Sequence, residues 1–196
     1  STDIYPIPHS APNMVIGGVK RMKTAAAAES KPVWMWLQGT GYAYWMDREP
    51  SPRELSCMAY GSLIRGARGI YYFAQFPRTA ECFAEMRALC VEVDALAPVL
   101  SSLDTGPGAT CNKPAILTGT YWLDDVPWVL AVNTQAVPSK ARFEVENAPK
   151  GRAEVVFEAR QIQIADATWE DSFGPYGRHV YRLPRAAPAG PEPRAN

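Results

Sequence analysis

Three polar residues fall at the ends of short apolar segments, where the side chains of a parallel sheet could meet around a ligand. Asp3, Gln38 and Gln75 lie in or at the ends of "DIYPI", "PVWMWLQ" and "GIYYFAQF". A carboxylate accepts hydrogen bonds and can exchange a proton, and a carboxamide both donates and accepts. The aromatic residues that accompany them are Tyr5, Trp36, Tyr42 and Tyr72. We predict that these side chains share one cleft.

The elements that would position these side chains alternate between strands and helices along the first half of the chain. In order, the apolar periodicity predicts a strand in "DIYPI", a helix over 14–29, a strand over 33–38, a helix over 52–66, a strand over 69–75 and a helix over 79–97 that ends near Pro98. The two later strands are nearly continuously apolar, which is typical of strands buried on both faces of a parallel sheet. Alternation of this kind predicts parallel strands joined by right-handed crossovers.

A marked helix start follows the predicted strand over 33–38. Ser51 suits the N-cap, Pro52 suits the first helical position, and Glu54 stands three residues after the cap. This spacing predicts a capping box, in which the side chains of residues 51 and 54 each bind the backbone of the other. We therefore interpret Glu54 as a structural carboxylate.

The second half of the chain has short strands separated by turns. The predicted strands are "AILTGTYW", "VPWVLAVN", "ARFEVEN", "AEVVFEAR", "QIQIA" and "RHVYRL". In "ARFEVEN" the apolar Phe143 and Val145 alternate with charged residues, as in a strand with one buried face. We predict an α/β part over 1–103, an antiparallel β-sandwich over 104–185, and a disordered tail rich in Pro and Ala over 186–196.

The composition argues against several classes of partner and cofactor. Twenty Lys and Arg residues balance twenty Asp and Glu residues, so the net charge gives no attraction to nucleic acid. No apolar run is long enough to predict a membrane span. The cysteines lack the spacing of zinc ligands, and "GTG" at 39–41 is too short for a dinucleotide-binding loop. We expect no metal and no cofactor.

The order of these segments resembles the end of a glycoside hydrolase. A β/α array that ends in "PSPRELSCMAYGSLIRGARGIYYF" and a long helix to "LAPVL" is similar to the last three units of a (β/α)8 barrel, the TIM barrel fold. The segments "WVLAVNT", "AEVVFEAR" and "FGPYGRHVYRL" resemble the small β-sandwich that follows such barrels. The resemblance makes "DIYPI", "PVWMWLQ" and "GIYYFAQF" strands six, seven and eight. It implies that strands one to five come from an N-terminal half, as a separate chain or fragment, and that the protein is extracellular or secreted.

The resemblance also implies a carbohydrate ligand and a role for each candidate residue. Such hydrolases need two carboxylates beside the scissile bond, and the acid/base of these barrels usually follows strand four. A nucleophilic Glu commonly ends strand seven, where this sequence has Gln38. Asp3 is then the local candidate for catalysis. The candidates for binding sugar are Tyr5, Trp36, Gln38, Tyr42, Tyr72 and Gln75.

Three functions stay open at this point. The chain could be the C-terminal part of a hydrolase of O-glycosyl bonds whose carboxylates lie mostly in the missing half. It could instead belong to an inactive barrel that binds glycans or has a structural role in an assembly, which Gln38 favours. A self-contained α/β and β-sandwich binding protein is the third, although three parallel strands alone would leave open edges and a large apolar surface.

Overall fold

The computed structural model describes residues 1–41, 46–73 and 77–185. The elements of the first half are β1 (Thr2–Ile4), α1 (Asn13–Ala26), a 3-10 turn (Ala27–Glu29), β2 (Val33–Gln38), α2 (Pro52–Ile64), β3 (Ala67–Phe73) and α3 (Ala80–Ser101). The three strands form one parallel sheet in the order β1-β2-β3. The predicted alternation and the parallel pairing are therefore confirmed.

Two predicted boundaries in this half are wrong by more than two residues. The first strand is shorter than "DIYPI", because the chain leaves the sheet after Ile4. The last helix does not end near Pro98 but continues to Ser101. Leu96 and Val99, on either side of this proline, are 1% and 2% exposed, so apolar burial favours continuing the helix. Pro98 itself lies on the exposed side, where water can bind the carbonyl that loses its helical partner.

The predicted helix start at Ser51 is confirmed in full. The Ser51 side chain accepts a hydrogen bond from the Glu54 backbone, and the Glu54 side chain accepts one from the Ser51 backbone. The helix is followed by Gly66 with φ of +90°, a backbone conformation that suits glycine after a helix C-terminus. Sequence signals at both ends thus delimit α2, and β3 begins directly afterwards.

The second half forms two antiparallel sheets. Its strands are β4 (Ala109–Cys111), β5 (Ile116–Leu123), β6 (Val126–Asn133), β7 (Ser139–Val145), β8 (Gly151–Val156), β9 (Arg160–Ile164), β10 (Thr168–Phe173) and β11 (Arg178–Arg182). One sheet has the order β10-β7-β4 and the other the order β5-β6-β11-β8-β9. The predicted alternation in β7 is confirmed, whereas β4 and β10 are strands that the sequence did not indicate.

The central strands of the five-stranded sheet, β6 and β11, are covered on both faces. On one side Val129 and Tyr181 share a core with Phe143 and Trp169 of the three-stranded sheet. On the other side β6 and β11 pack against α2, and Leu130 and Val180 join the core that surrounds the parallel sheet. Because β6 is covered on both sides, its sequence "VPWVLAVN" is apolar almost throughout, unlike that of β7.

A polar cluster joins α2, α3 and β11 beside this apolar contact. The Arg178 guanidinium forms an ion pair with Glu92 and donates a hydrogen bond to the Ser56 hydroxyl at 3.0 Å. It also lies 3.4 Å from the Glu85 carboxylate and 5.1 Å from the centre of the Tyr60 ring. The Tyr60 hydroxyl donates to Glu92, and burial together with that carboxylate raises the pKa of Tyr60. We call Arg178, Glu92, Glu85, Ser56 and Tyr60 the junction cluster.

Candidate functional site

The parallel sheet has one face packed against helices and one open face. On β2, Met35 and Leu37 are fully buried on the helix side. The alternate residues Trp34 and Trp36 are 38% and 37% exposed, and Tyr71 of β3 is 45% exposed. Since successive side chains of a strand point to opposite faces, the exposed residues share the face opposite the helices. We call this side the open face.

Aromatic rings form two layers across the open face. Tyr71 stacks on Trp36, with ring centres 4.8 Å apart, and on Trp34 at 5.3 Å. Nearer the carboxyl ends of the strands, Tyr5 stacks on Phe73 at 4.8 Å. Neighbouring strands are about 4.8 Å apart, and β2 lies between β1 and β3. The rings of Tyr5 and Phe73 can therefore stack only because both lean over β2.

Asp3 and Tyr5 form a polar pair on the same face. Asp3 is exposed and lies in register with Trp36, which in turn pairs with Tyr71. Burial, followed by the negative charge of Asp3 and side-chain hydrogen bonding to its carboxylate, raises the pKa of Tyr5 to about 12. The pair therefore presents a carboxylate and a neutral phenol beside an indole ring.

Gln38 lies on the same face but is fully buried. Its Oε1 accepts from the Ile7 backbone N–H at 2.9 Å, and its Nε2 donates to the Ile7 carbonyl at 3.0 Å. Nε2 also donates to the Thr40 carbonyl at 3.1 Å. Both N–H groups of the carboxamide are thus engaged by backbone. The predicted contact between Gln38 and a sugar has no support in this geometry.

One further candidate lies on the opposite face from the one that was predicted, and two lie outside the described residues. Tyr72 was expected at the rim of the cleft, but its side chain packs against the helix side beside Met86 of α3. It pairs with the buried Leu37, and burial raises the pKa of its hydroxyl. The open-face residues of β3 are its neighbours Tyr71 and Phe73. Tyr42 and Gln75 lie outside the described residues.

A buried carboxylate near this end of the sheet was not among the sequence candidates. Glu49 is 6% exposed and accepts hydrogen bonds from the backbone of Arg78 and Thr79 and, at 2.6 Å, from the Thr79 hydroxyl. Burial would raise the pKa of Glu49, but these hydrogen bonds outweigh it and hold the pKa below its ordinary value. Glu49 therefore binds the start of α3, where Thr79 is the N-cap.

The described residues also form grooves away from the open face. One groove, of about 560 Å³, lies by Gly66, Arg68 and Tyr121, at the end of the sheet where β3 begins. A second, of about 340 Å³, lies beside the junction cluster. Neither includes Asp3, Tyr5 or Trp36. Among the described candidates, Asp3 and Trp36 are therefore surface side chains that lie outside these two grooves.

Replacing Glu54 with alanine should lower the free energy of unfolding by about 0.5–2 kcal/mol, the scale of a lost helix cap. The carboxylate also forms two hydrogen bonds with Arg48, at 2.7 and 2.8 Å, and Glu54→Gln should keep the capping contact while it loses that ion pair. Thermal unfolding of both variants measures the difference. If Glu54→Gln abolished a ligand-binding or hydrolytic activity at unchanged stability, the structural interpretation of Glu54 would be wrong.

Comparison by sequence identifies no relative: no protein-family model matches the chain, and no curated protein matches it. Comparison of structures gives a different result. An α-amylase from Anoxybacillus, described as a new glycosyl hydrolase subclass, superposes with a TM-score of 0.60 at 9% identity, covering 95% of this chain and 48% of that one. The likeness is one of fold.

Two further solved structures agree with this. The α-amylase from Geobacillus thermoleovorans in complex with acarbose gives a TM-score of 0.62 at 10% identity, over 89% of this chain and 47% of that one. The protein AmyP in complex with maltose gives 0.56 at 9% identity, over 96% and 51%. The chain thus spans about half the length of each of these three chains, and nearly all of its own length takes part.

Proposed function

We propose that this chain is the C-terminal part of a glycoside-hydrolase-like (β/α)8 barrel, with strands six to eight over 1–103 and a β-sandwich over 104–185. In this proposal the protein acts on or binds carbohydrate, and an N-terminal half supplies strands one to five as a separate chain or fragment. The similarity to about half of each α-amylase chain supports such a division. We place the protein outside the cell, as a secreted protein. No helix among the described residues is long and apolar enough to cross a bilayer.

The observation that carries this proposal is the aromatic open face. In a (β/α)8 barrel, one side of every strand faces the helices and the other faces a packed interior. Trp34, Trp36 and Tyr71 lie on the side away from the helices and are more than one third exposed. Within the described residues, β1 and β3 are also the edges of the sheet. Further strands would enclose the open face within a barrel and pair both edges of the sheet at once.

The carbohydrate site would lie at the carboxyl ends of the strands, where barrels of this type bind their ligands. Asp3 can accept hydrogen bonds from sugar hydroxyls, Tyr5 fixes its carboxylate, and Trp36 offers an indole ring for the apolar face of a sugar. Among the described residues of the three strands, Asp3 is the single carboxylate on the open face. Because glycoside hydrolysis needs two, the second would come from strands one to five.

The competing proposal is an inactive barrel that binds glycans or supports an assembly. Gln38 favours this proposal, because it occupies the position where a nucleophilic Glu is common. Its buried carboxamide is bound to backbone groups on every side that the hydrogen bonds describe. The two proposals share the same binding residues. They differ in whether the protein hydrolyses a glycosidic bond.

Affinity electrophoresis of the full chain in gels that contain soluble starch, xylan, galactan or mixed-linkage β-glucan tests the proposed binding. We expect retardation in at least one gel, and Asp3→Asn should weaken that binding about tenfold, the scale of a lost charged hydrogen bond. The matched control is Asp124→Asn, at an exposed turn between β5 and β6. Release of reducing ends from the bound polysaccharide, by the chain alone or with its N-terminal half, separates the hydrolase from the binding protein.

Two results would contradict the proposal. Migration that no polysaccharide changes would remove carbohydrate as the ligand. Equal weakening by Asp3→Asn and by Asp124→Asn would show that binding depends on net charge and does not involve the open face.

A further inference from the structure

The carboxamide of Gln38 occupies the place of a peptide group. A residue in a strand offers its neighbour one N–H and one C=O, and Gln38 offers the Ile7 backbone the same pair through Nε2 and Oε1. The backbone pairing of β1 with β2 ends at Ile4 and Leu37. The side chain therefore continues the pairing beyond the last backbone contact, to a residue 31 positions away in sequence.

The segment that Gln38 binds carries the candidate ligand residues. It includes Tyr5, runs through Ile7, which is 1% exposed, and closes in a turn where the Ser10 N–H donates to the Pro6 carbonyl at 2.7 Å. On the other side of Gln38, the Gly39 N–H donates to the Phe73 carbonyl at 3.0 Å. The amide thus lies between the two segments whose rings, Tyr5 and Phe73, stack on each other.

We infer that Gln38 is a positioning residue, whose carboxamide fixes the segment after β1 so that Tyr5 meets Asp3 and Phe73. That Gln38 fixes this segment is independent of the proposed carbohydrate site. An effect of Gln38 on ligand binding rests on the proposed function. Gln38 acts through Tyr5 and Asp3 and makes no contact with the ligand itself. Its burial and the use of both N–H groups by carbonyls exclude a direct contact in this conformation.

Glutamate cannot replace glutamine in this role at neutral pH. A carboxylate only accepts hydrogen bonds, so its second oxygen would face the carbonyls of Ile7 and Thr40, which now accept from Nε2. Burial disfavours the charged form of such a group and raises its pKa. The protonated carboxyl can donate one hydrogen bond, which would restore part of the contact. Position 38 therefore needs a side chain that donates a hydrogen bond. Among the variants, only Gln38→Glu can gain such a donor when the pH falls.

Hydrogen exchange of the full chain, followed by mass spectrometry on the peptide that contains Ile7, tests this inference. At neutral pH, Gln38→Glu and the similarly sized apolar variant Gln38→Met should each raise the exchange of this peptide about tenfold or more, relative to its intrinsic rate. The control Gln161→Glu makes the same change of charge at an exposed position of β9 and should leave the peptide unchanged. As the pH falls, protection should return in Gln38→Glu and not in Gln38→Met.

The two variants together test the inference even where one of them unfolds the first half of the chain. Because Gln38→Met carries no charge, its loss of protection measures the missing hydrogen bonds, and recovery at low pH in Gln38→Glu alone then fits the donor that protonation restores. Unchanged exchange in both variants, or loss of protection that low pH does not reverse in Gln38→Glu, would overturn the inference. The exchange result stands whether or not any polysaccharide binds. Weaker polysaccharide binding by Gln38→Met at unchanged exchange would instead identify Gln38 as a direct ligand contact.

Discussion

Replacing Arg178 with methionine should lower the free energy of unfolding by about 3 kcal/mol, at the lower end of the cost of breaking a buried ion pair. The side chains of Arg178 and Glu92 are 23% and 13% exposed, so solvent compensates little for a lost partner. Without the guanidinium, Glu92 and Glu85 would face each other in the junction cluster with no opposite charge between them. Chemical denaturation followed by circular dichroism measures the change.

A control on the same strand and a second substitution make this prediction specific. Arg182→Met removes an arginine that is 53% exposed and 3.9 Å from Glu154, and should change stability by no more than about 1 kcal/mol. Adding Glu92→Gln to Arg178→Met should recover part of the loss, because it removes the charge that was left uncompensated. A loss below 1 kcal/mol for Arg178→Met alone would show that the junction cluster is hydrated and contributes little.

Replacing Phe143 with alanine should cost about 3–5 kcal/mol, as expected for a large aromatic residue deleted from a packed core. Phe143 is fully buried and stacks on Trp169, with ring centres 5.2 Å apart. It also contacts Tyr181 of the five-stranded sheet at 5.6 Å, so the deletion leaves a cavity between the two sheets. Thermal unfolding followed by near-ultraviolet circular dichroism reports the loss together with any change in aromatic packing.

Phe157→Ala is the matched control, because this phenylalanine is 46% exposed. Its effect should stay within about 1 kcal/mol. If the two phenylalanine variants unfolded at the same temperature, the contact between the sheets would not be the core that its burial indicates.

The sequence predicted the elements of the first half well where local signals were strong. Pro32 and the apolar segment after it gave the bounds of β2, and the capping box gave the start of α2. The missed strand β10 has a weak signal, because "TWEDSF" carries only Trp169 and Phe173 as large apolar residues, four positions apart. A segment of this composition forms a strand because it pairs with β7.

The candidate site was harder to predict, and for two physical reasons. In "GIYYFAQF" both faces of the strand are apolar, so the pattern does not indicate which of the adjacent Tyr71 and Tyr72 faces the helices. The packing of α3 decides this, and it places Tyr72 on the helix side. Gln38 ends β2 as predicted, but its partner Ile7 lies 31 positions away in sequence, and no spacing rule connects them.

The two central strands that are covered on both faces, β6 and β11, limit how this molecule can move. Two domains joined by a small polar contact commonly turn about a hinge, whereas a large apolar contact prevents such motion. Here Leu130 and Val180 belong to the core around the parallel sheet, while Val129 and Tyr181 belong to the core of the antiparallel pair. Turning one half against the other would expose β6 and β11, so the chain should tumble as a single rigid body. Any opening and closing around Asp3 would then have to come from loops at the strand ends or from whatever covers the open face.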